Sequence, residues 1–196
     1  MTRILDFIFS LIFIIILSFL FVVIICLIIC DSKGGAFFCQ TRVGKNNKDF
    51  TLLKFRTMYK DSDKKGLLTV GNHDPRITPI GVFLRKSKLD ELPQLFNILL
   101  GQMSFVGPRP EVRKYVNLYT EDQRKVLSVP PGLSDYASIE YIDENELLAK
   151  AVDKEQTYIQ EIMPAKIKLN MIYINNKSVY QYFKIIFSTL HSLIKK

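Results

Sequence analysis

Histidine and cysteine are scarce in this chain of 196 residues: 2 histidines, His73 and His191, and 3 cysteines, Cys26, Cys30 and Cys39. The histidines are isolated, and no Cys/His set at zinc-ligand spacing can be assembled from them. Any metal is therefore expected to be oxygen-bound. An odd number of cysteines, two of them inside an apolar run, excludes a disulfide framework and points to a reducing compartment. Acidic residues number 19 against 27 basic ones, a net charge of +8. That balance favours an anionic lipid surface or a phosphorylated substrate. No nucleic-acid partner is expected, since no recognition module of interleaved aromatic and basic residues appears. Internal repeats and low-complexity stretches are absent as well. The length leaves room for one ordinary domain plus a membrane element.

Charge is missing altogether from Phe7 to Cys30, an apolar run of 24 residues. At about 1.5 Å per residue such a helix is long enough for a hydrocarbon core of roughly 30 Å. A signal peptide fits poorly, because its apolar core is usually about 7–15 residues and no small-residue cleavage site follows. Ile29 before Cys30 weakens a lipoprotein reading. Arg3 precedes the run, and Lys33, Arg42 and Lys45 follow it, so the positive-inside rule draws both ends to the cytoplasm. A helix over residues 1–32 that enters the bilayer, bends near Ser18 and returns satisfies that pull. A straight span stays open.

Residues 33–196 read as one α+β domain, mainly helical with a small β-hairpin. Gly34-Gly35 breaks the helix, and two runs rich in aromatic and branched residues flank the turn GKNNKD, giving a hairpin within 33–60. Residues 60–78 form an exposed loop. Ser87 to Leu100 is expected as one helix ending at Gly101, with Leu92, Leu95, Phe96, Leu99 and Leu100 on one face. FVGPRP reads as a stiff connector, 111–127 as a helix, PPGLSD as a turn, and 143–174 as largely helical with a break at Pro164. Residues 178–196 carry an amphipathic pattern that fits a helix lying on the membrane surface, with a C-terminal core helix as the alternative.

Asp90 and Glu91 fall in the first turn of the helix expected from Ser87, where the dipole and free N–H groups stabilise anions and a phosphate can be held while an aspartate attacks phosphorus. Acids at that position are also routine caps, with Ser87 or Asp90 as the capping residue. Arg109, between Pro108 and Pro110, is pre-organised for bidentate phosphate binding. Lys54 and Arg56 point the same way along a strand, and Arg85 lies shortly before Asp90, so a pyrophosphate pocket is conceivable. Asp61 and Asp63 form a weak Asp-x-Asp pair of the kind that holds a metal and nucleotide.

The segments KFRTM, LDELPQLFNILLGQMSFVGPRPE and PPGLSDYASIEY resemble the bacterial sugar transferases, the small monotopic phosphoglycosyl transferases, over nearly the whole chain. The resemblance implies a catalytic core with a re-entrant N-terminal helix and interfacial helices at the cytoplasmic face of a bacterial inner membrane. It implies Asp90 as the nucleophile that displaces UMP from a UDP-sugar and passes the sugar-phosphate to undecaprenyl phosphate. It also implies Glu91 as the second acid, Mg²⁺ held by Asp90 and Glu91, and phosphate handling by Arg85 and Arg109 with Pro110, Lys54 and Arg56 nearby. Inner-membrane lipids and downstream glycosyltransferases follow as partners. The chain departs from the family pattern where Phe19 rather than proline follows Ser18, where Gln102 replaces a usual acid, and where Pro130 replaces a usual basic residue. Two readings stay open beside it: a non-catalytic membrane partner of glycan assembly, and a sugar-only transferase working through Asp61 and Asp63.

Overall fold

The computed structural model describes residues 2–60, 62 and 74–195; Asp61, Asp63 and His73 lie outside the described residues. The apolar run forms two helices, α1 (Thr2–Ile16) and α2 (Ser18–Asp31), bent by 62° at Leu17. The break thus falls one residue before Ser18. No single described helix is long and apolar enough to cross a membrane, though the bent pair passes that test by length and composition. On α1 the usual pattern is inverted: Ile4, Phe7, Ile8, Leu11 and Ile15 are exposed, whereas Asp6 and Ser10 are buried. α2 turns Phe21, Ile24 and Ile28 inward at helical spacing, against Phe55 and Leu84.

Polar tethers explain the inversion. The buried Asp6 Oδ1 accepts hydrogen bonds from Ser104 Oγ (3.1 Å), the Phe105 N–H (3.0 Å) and Tyr182 Oη (2.8 Å). Arg3 donates to the carbonyls of Ile98 (2.5 Å) and Leu99 (2.7 Å). Arg56 donates to the carbonyls of Lys33 (2.6 Å), Ser32 (2.7 Å) and Ile28 (3.3 Å) at the end of α2. Both arginines bind main-chain carbonyls at or just past a helix C-terminus, where intrahelical donors run out.

The expected hairpin is present. β1 (Phe37–Val43) pairs antiparallel with β2 (Asp49–Phe55), in register from Phe37↔Phe55 to Val43↔Asp49. Asn46 and Asn47 take left-handed conformations in the turn, which asparagine tolerates better than most residues. α3 (Pro79–Lys86) follows. Gly81 lets it lie against β2's exit, for a Cβ there would stand 2.1 Å from the Thr57 carbonyl oxygen.

The single helix expected over Ser87–Leu100 is two pieces, a 3₁₀ turn at Leu89–Glu91 and α4 (Gln94–Leu99). Pro93 has no N–H to continue a helical ladder, so the chain tightens to 3₁₀ and restarts, with Leu92 before it keeping helical angles. The expected end at Gly101 holds, with φ +82°.

The connector and the PPGLSD turn are also more ordered than expected. β3 (Ser104–Val106) and β4 (Gly132–Ser134) pair in parallel, joined across α5 (Arg113–Val116), α6 (Glu121–Arg124) and a 3₁₀ turn at Lys125–Ser128. The helix expected over 111–127 is thus these short pieces. After α7 (Tyr136–Glu140) and α8 (Glu144–Lys150), the break in 143–174 comes between α8 and α9 (Lys154–Thr157) rather than at Pro164. Pro164 sits in the first turn of α10 (Met163–Asn175), where its missing N–H costs little, directly after a π-helical turn at Tyr158–Ile162. α11 (Val179–Ile194), capped by Ser178, buries Tyr182 and Ile185 with Val106 and Tyr173 while leaving Tyr180, Phe187 and Leu190 exposed. One face is thus a core helix and another is apolar and uncovered.

Asp6→Ala leaves its buried donors without a partner, at a cost of roughly 1–3 kcal/mol, whereas Tyr182→Phe removes one donor and costs about 1 kcal/mol. Thermal unfolding in detergent should rank the variants in that order.

Candidate active site

Four segments converge on one groove. β2 carries Lys54 one residue before its end, α3 carries Arg85 in its last turn, the 3₁₀ turn supplies Asp90 and Glu91, and the chain leaving β3 supplies Arg109 and Pro110. The turn that presents the acids starts at Lys88, whose φ of 58° places a non-glycine residue in the left-handed region. Such backbone costs energy and persists where its surroundings enforce it.

Neither expected cap exists. Ser87 turns back to donate to the Phe83 carbonyl (2.8 Å) and closes α3, and no side chain caps the 3₁₀ turn or α4. Asp90 is buried, 7% exposed, and accepts no hydrogen bond from the described residues. Routine helix capping therefore does not account for it, and a carboxylate buried in that way costs stability. Burial raises its pKa, the nearby Glu91 charge adds to that, and Lys54, Lys88 and Arg85 oppose it.

Glu91 has the opposite surroundings. Arg109 grips it with both terminal guanidinium nitrogens, and Lys54 Nζ lies 3.2 Å from Oε1. Burial pushes the Glu91 carboxyl up, but Arg109 and Lys54 more than reverse this, and it stays well below the usual carboxylate range. In return Glu91 raises the pKa of Arg109. Adjacent acids are thus driven apart, one reluctantly ionised and open, the other permanently ionised and clamped.

Sequence-chosen bases divide in the same way. Lys54 and Arg109 meet at Glu91. Arg85 donates Nε to Thr57 Oγ1 (2.8 Å) and acts on Asp90 through its charge. Arg56 does not share Lys54's direction: its guanidinium is spent on the end of α2, tucked against Gly34, where a Cβ would lie 2.1 Å from Nη1. Gln102 lies beyond the far end of α4, accepting from Asn97 Nδ2 (2.6 Å), so the departure at that position falls away from the acid pair.

Two contributors escaped the sequence. Arg42 donates to the Pro110 carbonyl (3.0 Å), and the buried Asp135 accepts the Arg109 N–H (2.9 Å). A lone Asp in a turn before a short helix signals a cap, and Asp135 does cap α7 through the Ser138 N–H (2.5 Å). Nothing local signals its second bond.

Because the folded pKa of Asp90 is raised, its protonated form favours the fold; that contribution is complete below the unfolded carboxylate pKa and lost as pH rises through the folded value. Asp90→Asn should therefore raise the melting temperature at neutral pH, with the gain vanishing below roughly pH 4. Equal melting temperatures at every pH would contradict the burial of an open carboxylate.

Comparison with known proteins agrees with this arrangement. The family model described as "Bacterial sugar transferase" matches residues 1–196. The UDP-N-acetylgalactosamine-undecaprenyl-phosphate N-acetylgalactosaminephosphotransferase of Aeromonas hydrophila is 36% identical over 173 residues, covering 86% of this chain and 37% of that protein. The undecaprenyl-phosphate glucose phosphotransferase of Komagataeibacter xylinus is 37% identical over 167 residues, 82% of this chain and 29% of the relative. An exopolysaccharide production protein of Rhizobium leguminosarum bv. phaseoli is 37% identical over 174 residues, 85% of this chain and 81% of the relative. The chain thus spans well under half the length of the first two and most of the third. With a match along its whole length, the chain belongs to the bacterial sugar transferase family.

Proposed function

We propose that this chain is a phosphoglycosyl transferase that moves a sugar-1-phosphate from a UDP-sugar to undecaprenyl phosphate and releases UMP. The observation that carries the proposal is the contrast within one acid pair: Asp90 is buried and free of hydrogen-bond donors, while Glu91 is neutralised by Arg109 and Lys54. A non-catalytic partner of glycan assembly has no use for an open, destabilising carboxylate in a basic groove. The relatives' names point to the same donor and acceptor classes, with N-acetylgalactosamine or glucose as the sugar.

In this reading an Asp90 carboxylate oxygen attacks the sugar-bearing phosphorus of the UDP-sugar. The bond from that phosphorus to the bridging oxygen breaks, and UMP leaves with the electron pair on its phosphate. An acyl-phosphate joins Asp90 to the sugar-phosphate. An oxygen of undecaprenyl phosphate then attacks the same phosphorus, and cleavage of the phosphorus–Asp90 oxygen bond restores the carboxylate. Burial makes Asp90 poorly solvated and hence a better nucleophile once ionised, and Arg85 and Lys88 bias it toward ionisation. Arg109 and Lys54 offer donors to the pyrophosphate while holding Glu91.

Mg²⁺ suits this site as an ion carried by the substrate. Among the described residues no cluster of three or more His, Cys, Asp or Glu converges to form a closed cage. The open oxygens of Asp90, with Glu91 beside them, match a cation that usually takes one or two carboxylates plus phosphates and waters. When bound, it neutralises charge on the pyrophosphate.

The same proposal places α1 and α2 as a re-entrant pair in the inner membrane, with the groove at its cytoplasmic face. Supporting this are the 62° bend, the outward apolar residues, and the tethers that hold Arg3 and the end of α2 to the same domain. The uncovered apolar residues of α11 then lie at the interface.

Purified protein with undecaprenyl phosphate, Mg²⁺ and a panel of UDP-sugars should release UMP, and Asp90→Asn should reduce it to background. Release of UDP instead would sink the mechanism. Wild-type kcat/KM should fall on acidification with a midpoint above the ordinary aspartate value of about 3.9, because only ionised Asp90 attacks. A midpoint at or below that value would remove Asp90 as the titrating group.

A further inference from the structure

Arg109 lies between Pro108 and Pro110, so it carries the one backbone N–H of that segment. That N–H is taken by Asp135 Oδ2 at 2.9 Å. The carbonyl of the following residue, Pro110 O, is taken by Arg42 Nη1 at 3.0 Å. A charged side chain from a different element thus holds each side of the residue that grips Glu91.

Both holders are themselves fixed. Asp135 is 2% exposed, and its other oxygen accepts the Ser138 N–H at 2.5 Å. Beside it the segment before Arg109 is packed main chain to main chain: the Gly107 N–H donates to Ser134 O (3.1 Å) and the Gly132 N–H to Pro108 O (2.9 Å). A Cβ on Gly132 would stand 2.1 Å from the Gly107 nitrogen, so only glycine permits this contact. Arg42 donates Nη2 and Nε to Gln40 Oε1 at 2.7 and 3.0 Å and pairs with Glu111 at 3.5 Å. Glu111 in turn accepts the Val112 N–H at 2.7 Å and the Tyr158 hydroxyl.

We infer that Asp135 and Arg42 are positioning residues for the transfer reaction, fixing the main chain on both sides of Arg109 so that its guanidinium stays on Glu91 and leaves Asp90 open. Capping of α7 explains the bond from Asp135 to Ser138 but not the one to Arg109. The inference rests on the proposed transferase activity for its kinetic part, and on geometry alone for the rest. If the segment slackens, the Arg109 guanidinium is free to leave Glu91 and turn on the open oxygens of Asp90.

The test uses the full chain with Asp135→Asn and Arg42→Gln. Asn at 135 has one acceptor oxygen for a site that uses two, and Gln at 42 shortens the reach to Pro110; the variants act from opposite sides, so either suffices if the other fails to fold. Each should lower kcat roughly 10-fold, as loss of an outer supporting bond commonly does. Each should also add little to the loss in Arg109→Ala, a readout that a cap acting only on α7 would not move. Losses that multiply with Arg109→Ala would overturn the inference and leave Asp135 a cap. Should the wild type release no UMP, the transferase reading fails separately. The clamp then remains readable as the coupling between Glu91→Gln and Arg109→Ala in thermal unfolding, which should shrink in both backgrounds, and an unchanged coupling would refute the inference.

Discussion

The grip of Arg109 and Lys54 on Glu91 is the contact on which the rest of the groove depends. Two adjacent carboxylates in one buried turn repel each other, and burial opposes ionisation of both. Two cations on one of the pair ease the conflict by holding Glu91 ionised, and Asp90 is left without protein donors. The same contact draws together β2, the 3₁₀ turn and the segment after β3, elements separated by long stretches of sequence. A weaker clamp would not merely loosen one ion pair; it would return the repulsion to Asp90.

A second constraint is that the groove must be held against the apolar helix pair. Hydrophobic contact alone specifies position weakly, because one apolar face resembles another. The polar ties supply position: Asp6 to β3 and α11, Arg3 to the end of α4, Arg56 to the end of α2. Each lies where a helix or strand would otherwise leave main-chain groups unsatisfied. The helix that carries Asp6 is thereby attached to the strand whose exit bears Arg109, and α4, which follows Asp90 and Glu91, is attached to the first turn of α1.

Much of this was legible in the sequence where the signal was local. The hairpin follows from two β-rich runs around an Asn-bearing turn, and Lys54, Arg85, Asp90, Glu91 and Arg109 stood out because each is a charged residue at a chemically suggestive place. Pro93 carried the information that splits the Ser87–Leu100 helix, but five apolar residues at helical spacing outweighed it. β3 and β4 were hidden by their brevity: three-residue strands show no alternation, and their pairing depends on Gly107 meeting Gly132 across a long separation. Arg56 misled because strand alternation indicates a side and not the partner a long side chain reaches. Arg3 and Asp6 looked like a charged flank to an apolar helix, and nothing near them in sequence identifies carbonyls or hydroxyls more than ninety residues away.

The tethers made by Arg3 and Arg56 share a property with a consequence of its own. Their acceptors are main-chain carbonyls of Ile98, Leu99, Ile28, Ser32 and Lys33, so the side chains at those positions take no part in the bond. Substitutions there can accumulate without any matching change at either arginine. Correlated variation between positions, the signal from which distant contacts are commonly inferred, is therefore blind to both tethers.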